Sequence, residues 1–291
     1  MSSDIMPMTE PRPRRQRSQG SGAADAALLF DEPGPRGRIL IAIGSVVAVI
    51  GIAALAAAVL YRLDLAGQLD YPKWRYFLGQ SVVSQLLEAA GTTLTLGGVA
   101  AVLTFPLGIA LGWLRLLDNR PIKWLIGLWI DAMRAVPMLL LVYFFLLVVP
   151  RFATISDFWK LALPIVMCTS ATTAEVFRSG VRALDRGQTE AAWALGMSSS
   201  LTMRLILAPQ ALRLMLPTLI TQMVTIIKGT TLAYVLAYPE LMYRGSTMIG
   251  QAKIDAHLSV FFQTYVIIAV LYIIVNWSLG ALARYIESRT R

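Results

Sequence analysis

Twenty-two consecutive residues, from Ile39 to Leu60, carry no charged side chain. As a helix this run would extend over about 33 Å, enough to cross the hydrocarbon core of a bilayer, which is about 30 Å thick. Five further apolar stretches follow, at residues 86–114, 124–149, 161–177, 212–238 and 261–282. The pattern predicts an all-α membrane protein, a polytopic helical bundle of about six transmembrane helices.

The composition supports this fold class. Apolar residues make up 56% of the 291 positions, and charged residues only 15%, against about 25% in a typical soluble domain. A soluble protein of this size could not cover so much apolar surface with polar side chains, so lipid must be the solvent for most of the chain. The single cysteine, Cys168, and the single histidine, His257, exclude an intrachain disulfide and a multi-histidine metal site.

The N-terminal region divides into three predicted segments. Residues 1–38 are rich in Pro, Arg, Ser and Gly, and we expect a disordered basic cytoplasmic tail. Its arginines leave contact with anionic lipid or nucleic acid open as an alternative to simple solvation. Residues 39–61 form an additional first transmembrane helix, and the apolar run begins too late and is too long for a secretory signal. Residues 62–85 are expected outside the membrane.

The orientation follows from the basic residues. Of 26 Lys and Arg, 17 lie in segments that are cytoplasmic when the N-terminus is inside, and seven lie in the outer segments. The positive-inside rule therefore predicts that both termini are cytoplasmic. The net charge of +9 is explained by this topology, and no nucleic-acid partner is expected.

The loop at residues 187–209 reads as a short helix, a turn and a second helix. Thr189 is predicted as the N-cap, with Glu190 in the first turn, where a carboxylate favours the helix dipole. Gly196 suits a left-handed stop. Ser198 begins the second helix, which is expected to end near Pro209.

This loop resembles a known motif. Glu190-Ala191-Ala192, followed by Gly196 and by Ile206-Leu207-Ala208-Pro209, is similar to the EAA loop of bacterial ABC importer permeases. In that family the loop is a coupling helix that docks in a cleft of the cytoplasmic ATPase. The coupling residues that the resemblance implies are Gly187, Gln188, Glu190, Ala191, Ala192, Ala194, Leu195, Gly196 and Pro209.

The resemblance implies a type I importer fold with a permease core at residues 86–287. The implied partners are an ABC ATPase dimer, a second identical or related permease subunit and an extracytoplasmic solute-binding protein. The chain contains no Gly-x-x-x-x-Gly-Lys-[Ser/Thr] phosphate loop. We therefore expect no enzymatic activity and no cofactor in this chain, with ATP and Mg²⁺ bound by the ATPase.

Three further segments resemble the polar amino acid uptake branch of these permeases. They are Arg134-Ala135-Val136-Pro137, the run from Thr173 to Gly180, and Pro209-Gln210-Ala211-Leu212-Arg213. The glutamate, glutamine and aspartate members are most similar, and basic or aromatic substrates remain open. One departure is that Gly229 follows Lys228 where the branch usually has an aspartate.

Polar side chains recur with helical spacing in the fifth stretch. The candidates for the translocation pathway are Thr218, Thr221, Gln222, Thr225 and Lys228, together with Thr230, Thr231 and, in the fourth stretch, Ser170. The alternative role is hydrogen bonding between helices of the bundle. Lys228 is suited to complement an anionic substrate.

Two charged features of the bundle are interpreted as structural. Glu175 and Arg178 are three residues apart and are predicted to pair on one helix face. Residues 123–134 are predicted to form an elbow helix at the membrane surface, with Trp124 and Trp129 at headgroup depth and Arg134 at its end, before Pro137 starts or bends a helix.

Two other functions compete with an importer subunit. An ion-coupled secondary transporter would need internal repeats, broken helices and buried acidic ligands. A membrane scaffold that transports nothing would not need the polar side chains of the fifth stretch.

Overall fold

The computed structural model describes residues 34–290, without the side chains of residue 283 and residues 286–290. Within this range the chain is helical and contains no strand. The helices are α1 Pro35–Leu65, α2 Tyr71–Arg75, α3 Gln80–Leu114, α4 Arg120–Ala135, α5 Met138–Leu147, α6 Asp157–Arg182, α7 Arg186–Ala194, α8 Ser199–Thr202, α9 Ala208–Gly229, α10 Leu241–Asp255 and α11 Phe261–Thr290. Short 3₁₀ segments at Tyr76–Leu78, Val149–Arg151 and Thr230–Leu236 and a π-helix at Met203–Leu207 connect some of them.

Helix α1 forms a unit of its own, divided from the remainder of the chain after residue 66. It begins at Pro35, four residues before the predicted start at Ile39, because proline is well suited to the first position of a helix. It continues to Leu65 and buries none of its side chains. Residues 35–38, predicted as part of the tail, are therefore helical. Residues 1–33 lie outside the described residues.

Four described helices are long and apolar enough to cross a membrane: α1, α3, the continuous segment Ser199–Leu236, and α11 over Phe261–Leu282. The bent pair formed by α4 and α5 is a fifth candidate. Helix α6, predicted as the fourth span, has 26 residues but is not among these candidates. It packs against α3, α4, α5 and α9, and we assign it as the central helix of the bundle.

The contact between α3 and α6 is close because α3 presents glycines there. A Cβ atom at Gly108 would lie 2.5 Å from Cβ of Thr173, and one at Gly112 would lie 2.6 Å from the carbonyl oxygen of Ala174. The two glycines are four residues apart and therefore share a helix face. The hydroxyl oxygens of Thr104 and Thr169 are 2.8 Å apart across the same contact. This face of α3 therefore packs against α6.

The predicted elbow is present. Helix α4 and the segment Met138–Arg151 are bent by 96° relative to each other, and Pro137 is the N-cap of α5. Proline supplies no N–H group for a continuing helix, so the break falls here. Trp124 is 69% exposed and Trp129 is 41% exposed, which leaves both indoles on the outer surface of the bundle.

Glu240 and its neighbour Leu241 link three helices, α3, α10 and α11. It is fully buried and caps α10, where Oε1 accepts a hydrogen bond from the backbone N–H of Tyr243 at 2.8 Å. Its Oε2 accepts from the hydroxyl of Tyr272 on α11 at 2.8 Å. The next backbone N–H, of Leu241, donates to the hydroxyl of Thr93 on α3. No spacing or motif in the sequence indicates this cluster.

Candidate functional site

Helix α7 is the short first helix of the predicted coupling loop, but it begins earlier than expected. Its N-cap is Asp185, whose carboxylate accepts from the N–H of Gly187 at 2.8 Å. The prediction of Thr189 as the N-cap was wrong, because an aspartate four residues earlier provides a good cap. Glu190 is consequently beyond the first turn, and the predicted interaction with the helix dipole is also wrong.

The predicted stop at Gly196 is confirmed, since this residue has a φ of +77°. Its N–H donates to the carbonyl of Trp193 at 2.9 Å, and the N–H of Met197 donates to the carbonyl of Ala192 at 3.0 Å. These two bonds form a Schellman motif, which satisfies the last carbonyls of the helix. No atom lies within 4 Å of where a Cβ at Gly196 would be.

The small residues of α7 divide between two faces. Ala192 is buried against the chain, whereas Ala191 and Ala194 are exposed. Trp193 and Leu195 are 56% and 82% exposed. The outer surface therefore combines two methyl groups with two large apolar side chains, and the described chain leaves this surface uncovered.

The second helix of the loop does not end at Pro209. Ser198 caps the four-residue helix α8, as predicted, with its hydroxyl accepting from the N–H of Leu201 at 3.4 Å. A π-helical segment at Met203–Leu207 then leads directly into α9. Pro209 is in the first turn of α9, where the missing N–H costs no helical hydrogen bond. The prediction failed because proline was interpreted as a stop when it is also compatible with a start.

Two glutamines link the loop to the bundle. Nε2 of Gln210 on α9 donates to Oε1 of Gln188 on α7 at 3.3 Å. Nearby, a cavity of about 430 Å³ lies among residues that include Arg182, Asp185 and Leu207. The loop is therefore held to α6 and α9 at its base, while the outer surface of α7 projects away.

The polar side chains of α9 lie mainly on its exposed face. Thr218, Thr221, Thr225 and Lys228 are exposed, with spacings of three, four and three residues. Gln222 is 9% exposed and turns toward the bundle, which separates it from the predicted stripe. The hydroxyl of Thr225 donates to the carbonyl of Thr221 at 3.1 Å, so its own donor is satisfied within the helix.

Lys228 occupies the last turn of α9. Among residues 34–290 it takes part in no ion pair and no side-chain hydrogen bond. A cation in the last turn of a helix is favoured by the helix dipole. The ammonium group nevertheless remains available to a ligand or to another chain.

The other pathway candidates do not join the exposed face. Thr230 is fully buried and donates to the carbonyl of Ile227 at 2.7 Å, and Thr231 donates to the carbonyl of Lys228 at 2.7 Å. Ser170 is fully buried in α6 and donates to the carbonyl of Met167 at 3.1 Å. Each of these hydroxyl groups donates to the backbone carbonyl three residues earlier in the chain.

A cavity of about 390 Å³ continues from the exposed face of α9. It is lined by Thr218, by Thr172 and Glu175 of α6 and by Arg134 of α4, among others. The sequence predicted Glu175 and Arg134 as structural groups and did not bring them together with Thr218. These three residues come together because α4 and α9, which are far apart in sequence, both pack against α6.

The predicted Glu175–Arg178 pair is confirmed, and it belongs to a larger ion-pair network. Nε of Arg178 donates to Oε1 of Glu175 at 3.0 Å. Arg115, at the end of α3, donates to Oε2 of Glu175 at 3.0 Å and to both carboxylate oxygens of Asp131 on α4. Three helices are therefore joined by charge at this end of the bundle. Within residues 34–290, no group of His, Cys, Asp and Glu side chains is arranged to hold a metal ion.

Known proteins resemble this chain in sequence and fold. Residues 104–291 match the family described as "Binding-protein-dependent transport system inner membrane component". The "Glutamate transport system permease protein GluD" of Corynebacterium glutamicum is 34% identical over 77% of this chain and 82% of its own length. The "Probable glutamine ABC transporter permease protein GlnP" of Bacillus subtilis is 33% identical over 68% of this chain and 89% of its own.

A solved structure described as an "amino acid ABC transporter with histidines" has a TM-score of 0.64 and 24% identity. The match covers 72% of this chain and 95% of that one, and it supports the fold alone. The match to the family model and the identity with the two permeases are independent of the helix geometry described above. The chain belongs to the family of inner membrane components of binding-protein-dependent transport systems.

Proposed function

We propose that this chain is the permease subunit of an ATP-driven ABC importer for a polar amino acid, with glutamate, glutamine and aspartate as the favoured substrates. Two permease subunits, identical or related, would enclose the pathway. Two ATPase subunits would bind and hydrolyse ATP, and an extracytoplasmic solute-binding protein would deliver the substrate. The orientation proposed is that of the positive-inside rule, with both termini in the cytoplasm.

The observation that carries this proposal is the geometry of α7. The helix is anchored at its base by the contact between Gln188 and Gln210, and Gly196 ends it abruptly. Its outer surface, with Ala191 and Trp193, is exposed. A short rigid helix with small and apolar side chains on its outer face is suited to insert in a cleft of a partner and to transmit a displacement to α6 and α9.

The exposed polar face of α9 supports a role in translocation. An ammonium group is costly against hydrocarbon, so Lys228, and with it the helix face that carries Thr218, Thr221 and Thr225, should face a second subunit or a water-filled path. The cavity lined by Thr218 and Glu175 extends this polar surface along α6. In an alternating-access cycle, ATP would favour one of two states that differ in how this surface opens.

The substrate class is supported by two observations. GluD and GlnP, to which the chain is similar, are named for glutamate and glutamine transport. Lys228 offers an unpaired cation on the exposed face of α9, which would complement an acidic side chain. Much of the discrimination between these substrates would fall to the solute-binding protein.

One observation favours ion-coupled transport as a second candidate. Glu240 is the buried acidic group that such a transporter would need. However, its carboxylate already accepts hydrogen bonds from Tyr243 and Tyr272, and its position at the start of α10 is that of a helix cap. We therefore favour a structural role for Glu240.

A cross-linking experiment tests the docking of α7. In a Cys168→Ala background, Ala191→Cys would be labelled with benzophenone-maleimide in native membranes and irradiated. We expect a cross-link to a protein that carries a Gly-x-x-x-x-Gly-Lys-[Ser/Thr] sequence, identified by mass spectrometry. The matched control is Ser81→Cys, an exposed position at the start of α3, which should give no such product. An ATPase adduct from both positions, or from neither, would contradict the proposal.

A further inference from the structure

A basic cavity of about 610 Å³ lies where the end of α3 meets α4 and α6. Its lining includes Arg115, Arg120, Lys123, Arg178 and Asp131. Gly127 lies beneath the guanidinium of Arg115, and a Cβ there would be 3.5 Å from Nε and Nη2 of Arg115. This is an ordinary van der Waals distance, so the guanidinium lies directly against α4 at this position.

The cations of this cavity outnumber its acidic groups. Asp131 is bound by Arg115, and Glu175, beside the cavity, is bound by both Arg115 and Arg178. Arg120 and Lys123 are exposed and form no ion pair within residues 34–290. Four cations against two carboxylates leave an excess of two positive charges, which attracts an anion.

A second cavity, of about 430 Å³, lies beside α4 and is apolar. It is lined by Leu107 and Leu111 of α3, Leu125 and Trp129 of α4, and Met167 of α6, among others. Both cavities are thus formed by the same three helices. Among the described residues of this lining, Ser170 is the only one with a hydroxyl group, and this hydroxyl donates to a backbone carbonyl.

On α3 and α6 the two cavities follow one another along the helix axis, whereas on α4 their linings lie on opposite faces, so that α4 crosses between them. A ligand that occupies both cavities therefore passes over the exposed side of α4. Leu107, Leu111 and Arg115 are spaced by four residues and share one face of α3, which places the arginine about 6 Å beyond Leu111. On α6, Arg178 lies eleven residues after Met167, or about 16 Å along the axis. The basic cavity is therefore at the C-terminal end of both helices, and the apolar cavity lies farther from these ends, where Leu125 and Trp129 leave it open to the outer surface.

We propose that this pair of cavities binds an anionic phospholipid, with its phosphate at Arg120 and Lys123 and an acyl chain against Leu111, Leu125 and Trp129. A ligand with an anionic head and an apolar chain could place its head in the basic cavity and its chain in the apolar cavity. Basic pockets between transmembrane helices commonly bind anionic headgroups. In the proposed orientation the lipid belongs to the cytoplasmic leaflet.

The surface of α4 supports a lipid in preference to a soluble anion. Trp124, Leu125 and Leu128 are 69%, 61% and 54% exposed, although they flank the cationic side chains. Apolar and cationic groups together on a helix that turns by 96° into the next segment are typical of a helix at a membrane surface. A bound lipid would brace this elbow against α3 and α6.

The test is lipid retention, measured by native mass spectrometry. The purified full-length chain, in the complex with which it co-purifies, is equilibrated with equal amounts of phosphatidylglycerol and phosphatidylcholine that carry the same acyl chains. We expect the wild type to retain phosphatidylglycerol preferentially. The double variant Arg120→Gln/Lys123→Gln should lower the ratio of the two lipids by about 30-fold, if each basic side chain contributes about 1 kcal/mol.

Two further variants separate charge from packing. Arg75→Gln/Arg151→Gln removes the same charge from exposed positions outside both cavities and should leave the ratio unchanged. Leu125→Trp, which fills the apolar cavity from an exposed position, should reduce retention of both lipids without changing their ratio.

The proposal fails if the wild type retains the two lipids equally, or if the control double variant lowers the ratio as much as Arg120→Gln/Lys123→Gln. A last measurement repeats the lipid-retention experiment in the presence of millimolar inorganic phosphate. Retention of phosphatidylglycerol in its presence supports a lipid site. Displacement by phosphate would assign the basic cavity to a soluble anion and would overturn the proposal.

Discussion

Gly196 ends α7, the helix that we propose couples this chain to the ATPase. Its φ of +77° is in the left-handed region, which costs most residues about 1–2 kcal/mol but costs glycine little. Because a Cβ would lie within 4 Å of no other atom of the described chain, substitution here strains the backbone without a steric clash inside this subunit.

This distinction gives a prediction with an internal control. Gly196→Val should lower transport and substrate-stimulated ATP hydrolysis per assembled complex, because a β-branched residue resists a positive φ and would shift the end of α7. Gly196→Asn should remain near the wild type, since asparagine tolerates this conformation. Both rates would be measured in proteoliposomes and normalised to assembled complex. Equal activity of the two variants would contradict a need for the left-handed stop.

Lys228 permits a prediction about the substrate. Lys228→Met removes the charge but keeps an unbranched side chain, so uptake of glutamate per assembled complex should decrease while uptake of glutamine is largely retained. The matched control is Lys253→Met, at an exposed position of α10, which should leave both rates unchanged. An unchanged glutamate rate in Lys228→Met would rule out a pathway role for this side chain.

At the scale of elements, Glu240 connects α3, α10 and α11 and lies in the connection between the apolar span that ends at Leu236 and α10. Burial raises the pKa of Glu240, although hydrogen bonds from Met242, Tyr243 and Tyr272 oppose this shift. A carboxyl whose pKa is higher in the folded state binds its proton more tightly there than in the unfolded state. Folding is therefore favoured as the pH falls through the raised pKa.

Glu240→Gln isolates this effect, because glutamine keeps polar atoms for the same partners but cannot ionise. We expect the variant to have a higher melting temperature than the wild type at pH 8, and the difference to shrink as the pH is lowered toward 5. Thermal unfolding followed by tryptophan fluorescence would show this. Asp118→Asn, at an exposed loop position, should follow the wild type. A difference between Glu240→Gln and the wild type that does not change with pH would contradict the argument.

The elements differ in how well the sequence predicts them. The length of the apolar run was sufficient to predict α3 and α11. The conformational preference of glycine was sufficient to predict the end of α7. The start of α7 was misplaced because Asp185 and Thr189 are both acceptable caps, and only the structure decides between them. The continuation of α8 through a π-helix into α9 has no local signal, because Pro209 is compatible with either end of a helix.

At the scale of the whole molecule, the parts of the site that depend on long-range packing were not predictable. Arg115, Asp131 and Glu175 are brought together by three helices, and no spacing within one helix reveals this. The same holds for Glu240 with Tyr272 and Thr93. The end of α7 was predictable because the residues that determine it lie in one contiguous segment.

Helix α7, the ion-pair network and the exposed face of α9 lie on one set of connected helices. Movement of α7 would be transmitted through Gln188 to α9 and through Asp185 to the end of α6. The exposed face of α9 would then change its surroundings as the two permease subunits move. We therefore propose that ATP, and not an ion gradient, is the source of energy for transport.

Uptake by reconstituted vesicles tests this claim most directly. The chain would be purified with its associated subunits, reconstituted with the solute-binding protein, and supplied with labelled glutamate or glutamine. We predict uptake that requires ATP and the binding protein and that persists when ionophores abolish all ion gradients. Uptake driven by an imposed ion gradient without ATP, and abolished by ionophores, would contradict the account.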